Sequence, residues 1–263
     1  MCLIAWNWQP GSATPLLLLA NRDEFYARSA LPLHWWDNTG NGAEVLAGKD
    51  LQGGGTWLGL SRSGRLAALT NYRSAGPPRT DTPSRGELVA AFLHSDMNAD
   101  AYLQQLTRSA NDYNPFNLLV YDGHRLMGLE SRAANVLALE PGIGAVSNAD
   151  FQTPWPKLTR LQQRLQDQVN RQITDAHSLL PLLQDRTTAP DAELPDTGIP
   201  LALERVLSAT FIATPDYGTR ACSVLAIHQN HAAFTEHSFD ATRLIAQEHQ
   251  HFQLECQPVT TRP

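Results

Sequence analysis

MCLIAWNW, residues 1–8, the turn residues QPGS, residues 9–12, and LLLLANRDEF, residues 16–25, form the stretch whose reading decides the fold. Two short apolar runs around a proline–glycine turn predict a hairpin whose first strand lies at the chain terminus. Cys2 follows the initiator methionine. A small residue there permits removal of Met1, which leaves a thiol and a free α-amine on one residue. The amine has an ordinary pKa of about 8 and the thiol about 8.5, so proton transfer between them is nearly balanced and Cys2 becomes a candidate nucleophile with its own base.

Bulk properties narrow the alternatives. With 263 residues and no charge run or low-complexity tract, the chain predicts a single domain over residues 1–263. A formal charge of −6 with scattered arginines provides no basic field for nucleic acid. The apolar run at 16–20 is far shorter than the roughly 20 residues of a spanning helix, and no positive charge precedes it, so the expected location is cytoplasmic with no membrane span. The three cysteines, Cys2, Cys222 and Cys256, lack metal or disulfide spacing. No metal site is expected, and Cys222 reads as a strand filler.

Working outward, residues 57–61 and 65–71 read as a second hairpin after the glycine cluster Gly53, Gly54 and Gly55. SRGE at 84–87 has the pattern of a capping box before the apolar helix face LVAAFL. A short helix is expected over 100–109, strands around the turn DGH at 122–124, and further strands at 136–139 and 144–147. Leu158, Leu161, Leu165 and Val169 recur at helical spacing after Pro156, and a second helix follows over 176–183. Residues 187–200 read as an exposed loop. Strands at 223–227 and 232–236 precede a polar tail holding Glu248, His249, Gln250 and His251, which reads as a solvated end rather than a ligand set. Strands, helices, then strands predict an α+β fold of sheets covered by helices. Trp35 and Trp36 suit packing or an apolar ligand pocket.

MCLIAW, ANRDEF, GGGTWLGL, LTNYR, SRGELV, FNLLV, VSN and YGTR, in this order, resemble the NRDE family, also called the transport and Golgi organization family. The resemblance implies the four-layer αββα sandwich of N-terminal nucleophile hydrolases. Its wider relatives are choloylglycine hydrolases and cysteine-type penicillin acylases, which cleave small amides. By that resemblance Cys2 is similar to the nucleophile and Asp23 to the aspartate that contacts its α-amine. Asn71 and Asn148 resemble the asparagines of the oxyanion region, and Arg220 the arginine beside the thiol. Those hydrolases carry Arg-x-x-Asp where this chain has Arg22 directly before Asp23. Neighbouring side chains on a strand face opposite ways, which leaves Arg22's role open.

Two functions follow as expectations. One is an amidohydrolase acting on a small amide or acyl substrate through Cys2, with no cofactor required. The other, implied by the family's link to haem mobilisation, lipid handling and Golgi organisation, is a carrier that binds haem or an acyl-CoA on the same fold without turnover. The sequence alone assigns neither a cofactor-binding residue nor an oligomeric state.

Overall fold

Strand β1 (Cys2–Trp8) lies between β10 (Gly142–Val146) and β2 (Leu16–Phe25), antiparallel to both. Beyond β2 the sheet continues through β11 (Tyr217–Ile227), β12 (His231–Phe239) and β13 (Leu244–Gln253). A second sheet of seven strands runs in chain order: β3 (Ala30–Trp35), β4 (Val45–Asp50), β5 (Leu58–Ser61), β6 (Leu66–Asn71), β7 (Phe116–Tyr121), β8 (Leu126–Glu130) and β9 (Asn135–Ala138). These positions come from a computed structural model, which describes residues 2–36 and 44–255. Met1 and Cys256 lie outside the described residues.

Strand alternation explains the unbroken apolar runs of the opening hairpin. Ile4, Trp6, Leu16, Leu18 and Ala20 face the second sheet and join Leu60, Leu66, Ala68 and Leu119 in the core between the sheets. Leu3, Ala5, Leu17 and Leu19 face the other way. They are covered by Leu158, Leu161 and Leu165 of α3 (Pro156–Asn170) and by Leu179 and Leu183 of α4 (Ala176–Leu183). Both faces of each strand are buried, so the polar half of the usual alternation is missing. Each fully buried leucine contributes roughly 1.5–3 kcal/mol. On the far side of the second sheet, Leu88, Val89, Phe92 and Leu93 of α1 (Gly86–His94) and Leu103 of α2 (Ala99–Leu106) cover Ala67, Leu69 and Leu118. The layers run helix, sheet, sheet, helix, as expected for the αββα sandwich. Among the described residues no helix is long and apolar enough to cross a membrane.

Two local expectations differ. Ser84 does not cap α1: Arg85 holds the N-cap position, with no side-chain cap bond. Main-chain contact sets the helix start instead, because Gly86 O accepts from Thr56 N at 3.2 Å and Gly55 packs directly on Gly86. A Cβ on Gly55 would lie 2.3 Å from the Gly86 carbonyl carbon, so Gly55 is required. The polar tail is strand β13, paired with β12 from His231 to Phe239. As an edge strand with every second residue exposed it carries little apolar signal, and Phe252 is its buried anchor. A short helix, α5 (Leu201–Leu207), follows the loop.

Trp35 and Trp36 serve packing. Trp35 meets Phe252 edge to face at 4.8 Å, and Trp36 Nε1 donates to Ala47 O. Cys222 is fully buried in the core under α3 and α4, as a strand filler would be.

Candidate active site

The four residues of the NRDE tetrad part company as the pleat of β2 requires. Asn21, on the helix side, donates to the carbonyls of Leu183 and Thr210, each at 2.8 Å, and so fastens β2 to the end of α4. Arg22 stands opposite Cys2 in the register of β1 and β2, on the face turned to the second sheet. Its Nη2 donates to Asp50 at 3.0 Å, and its guanidinium lies 4.4 Å over the Trp57 ring. Asp23 returns to the helix side, just beyond the start of β1, and accepts from Thr219 Oγ1 at 2.6 Å. Glu24 reaches Arg28 at 4.0 Å. Arg22 and Asp23 therefore occupy different pockets.

Cys2 itself is 8% exposed. Burial pushes its thiol up from the usual value, Asp23 adds to this, and Arg22 opposes it. Arg85, at the start of α1, also feels the Cys2 charge, although burial is the main influence on its own guanidinium. The two arginines that bear on the thiol are thus Arg22 and Arg85. Arg220 sits at a register shift in β11, and its donors go to the carbonyls of Phe25, Tyr26, Arg28 and Phe239. It pins the turn after β2. With Arg22, Trp57 and Leu31 it also lines a cavity of about 40 Å³.

The Ser147 hydroxyl lies 3.1 Å from both the Cys2 carbonyl and Asn148 Oδ1. Asn148, fully buried, donates through Nδ2 to the main-chain carbonyl of Asn71 at 2.8 Å, and its own carbonyl accepts from Arg73 N at 2.7 Å. Asn117 supports the same turn by donating to Ala149 O at 2.7 Å. Alternation along β6 sends Ala68 and Thr70 between the sheets, and Ala67, Leu69 and Asn71 outward. The contact of Asn71 with this region is made by its main chain. A cavity of about 400 Å³ opens beside Asn148, lined by Tyr72, Arg73, Arg132, Trp155 and Thr197.

Behind Cys2, on the helix side, lies a charged cluster that sequence reasoning missed. Burial raises Asp23 from the ordinary carboxylate value, and Lys157 is the largest influence opposing this. Arg73 pairs with Glu204 at 2.5 Å, with both side chains almost wholly buried, and stacks 4.5 Å over Trp155. Tyr217 donates to the Asp23 carbonyl at 3.0 Å. Their motifs were in view: Arg73 ends LTNYR, Tyr217 and Thr219 belong to YGTR, and Lys157 follows PWP. Among the described residues no group of His, Cys, Asp and Glu is arranged to hold a metal; His249 bonds Thr235 at 2.7 Å and His251 packs on His231.

Comparison with known proteins agrees with this architecture. A mutant conjugated bile acid hydrolase from Clostridium perfringens superposes with a TM-score of 0.53 at 8% identity, covering 100% of both chains. A Caenorhabditis elegans ortholog of N-acylethanolamine-hydrolyzing acid amidase superposes with a TM-score of 0.50 at 13% identity, covering 85% of this chain and 92% of its own. Identities this low speak for the fold alone, which is that of N-terminal nucleophile hydrolases. The family model described as Transport and Golgi organisation 2 matches residues 1–241. A Transport and Golgi organization protein 2 homolog from Bos taurus is 37% identical over 268 residues, covering 92% of this chain and 96% of the homolog. The Homo sapiens homolog is 36% identical over 262 residues, covering 90% and 93%. This near-complete sequence likeness places the chain in the Transport and Golgi organisation 2 family.

Proposed function

We propose that this chain is an N-terminal cysteine amidohydrolase acting on a small amide or acyl substrate. The observation that carries the reading is the position of Cys2. It opens an inner strand, Ser147 is within reach of its carbonyl, and the Asn148–Asn71 link lies one bond further on. Asp23 stands just beyond the strand's start.

Once Met1 is removed, the neutral α-amine of Cys2 takes the thiol proton and the thiolate attacks the substrate carbonyl carbon. The carbonyl electron pair moves to oxygen, where donors at Asn148 and Asn71 stabilise it. Collapse of this intermediate breaks the C–N bond, and the departing amine takes the proton held by the α-ammonium. Water then attacks the thioester, releases the acid and restores the thiol. Asp23 holds the terminus from the helix side, while Arg22 and Arg85 favour the thiolate. Arg220 acts at a distance, by fixing the turn at 25–28. The 400 Å³ cavity beside Asn148 suits the acyl or amine portion of the substrate.

The test is direct. Intact mass should show loss of Met1. A panel of acyl p-nitroanilides should then be hydrolysed, with a covalent acyl adduct on the Cys2 peptide and none in Cys2→Ala. Failure of every substrate to acylate the processed protein would sink the reading.

The raised thiol of Cys2 favours a second reading, since a group held protonated suits a binding site better than a nucleophile. On that reading the chain carries haem or an acyl-CoA. Isothermal titration with hemin and palmitoyl-CoA separates the two: tight binding unchanged by Cys2→Ala supports the carrier.

A further inference from the structure

Lys157 is one of only two lysines among 20 basic residues; the other is Lys49. It is 1% exposed, and its Nζ has no hydrogen-bond partner among the described residues. It occupies the first turn of α3, where the helix dipole disfavours a cation and no acidic residue compensates. Burial, the dipole and the missing partner all oppose a positive charge here. A residue retained for stability alone would be apolar.

The charged groups that act on Lys157 are Asp23 from β2, Arg73 from the turn after β6, Cys2 from β1, against which α3 packs, and Glu204 from α5. Tyr217 of β11 approaches the same Asp23. Arg73 and Glu204 neutralise one another. This leaves Lys157 and Asp23 facing the start of β1.

We propose that Lys157 is a positioning residue of the catalytic terminus: it shares Asp23 with the α-amine that Met1 removal exposes, and its nearby charge keeps that amine neutral and able to accept the thiol proton. The inference rests on the hydrolase reading for its purpose. Two cations beside one carboxylate cannot both be held at full charge cheaply, so the proton is shared between them. Burial drives the Lys157 ammonium down to about 8, and Asp23 partly restores it.

Neither test needs a substrate, so each can fail without deciding the fate of turnover. In the full chain lacking Met1, the rate of Cys2 alkylation by iodoacetamide is followed against pH, with peptide mapping to separate Cys222 and Cys256. Lys157→Met is expected to move the midpoint by about one pH unit, a roughly tenfold change in reactive thiolate near neutrality. Lys157→Arg, which keeps the charge, is expected to retain the wild-type midpoint. An unmoved midpoint in Lys157→Met overturns the proposal. Should that variant fail to fold, wild-type protein with 13C-labelled lysine supplies the second measurement, since two lysines give two side-chain signals. The Lys157 titration must differ between protein with and without Met1, and identical curves overturn the proposal.

Discussion

Asn148 donates its side-chain amide to the main-chain carbonyl of Asn71 at 2.8 Å, and through this bond the turn after β10 is fastened to the end of β6 in the opposite sheet. Asn148→Ala leaves a partly buried carbonyl without its donor and is expected to cost about 1–3 kcal/mol, read as a lower urea midpoint. Asn71→Ala keeps the carbonyl, so it should lose much less stability. Of the two, Asn148→Ala should also slow Cys2 acylation more.

Glu236 is a buried carboxylate between the sheets, accepting from Leu33 N at 2.9 Å and Ser223 Oγ at 3.1 Å. Burial raises it from 4.5 to about 7. From pH 4.5 to 7 the folded chain keeps a proton that the unfolded chain has released, so this group's contribution to stability falls as pH rises across that window. Glu236→Gln should flatten the slope and leave the protein more stable above pH 7, by up to about 3 kcal/mol. Thermal unfolding at pH 5 and pH 8 measures both effects; equal wild-type and variant slopes would show that Glu236 is already ionised when folded.

Gly55→Ala places a Cβ 2.3 Å from the main chain of Gly86, which no side-chain rotation relieves. The expected result is a loss of about 1–3 kcal/mol, as for an overpacked core, and a displaced start of α1. Gly76→Ala meets nothing within 4 Å but carries a φ of +98°, so its cost is backbone strain alone. Denaturation midpoints should rank Gly55→Ala below Gly76→Ala.

Arg220→Met removes donors from three carbonyls at 25–28 and from Phe239. Hydrogen exchange should accelerate in that turn while the β1 amides stay protected. Protection lost equally in both would mean that Arg220 supports the whole sheet rather than the turn.

Much of this architecture was legible because local physics writes it into the chain. The hairpin of residues 2–25 shows in its apolar runs and turn, α3 in its leucine spacing, and α4 at its observed bounds. The edge strand β13 was hidden because its side chains are mostly solvated, and a polar run reads alike in a strand and in a tail. The start of α1 departs from the sequence pattern because a main-chain contact between distant glycines replaces the expected hydroxyl cap.

For the site, the sequence by itself determined that Cys2 directly follows Met1, and that the pleat sends Arg22 and Asp23 to opposite faces. Those facts depend on position and on a two-residue period, which are local. Only the tertiary structure decided what meets each face: Asp50 and Trp57 on one side, Thr219 and the buried amine of Lys157 on the other. Such partners lie tens to hundreds of residues away, and their charges acquire meaning only when burial removes the water that would otherwise screen them.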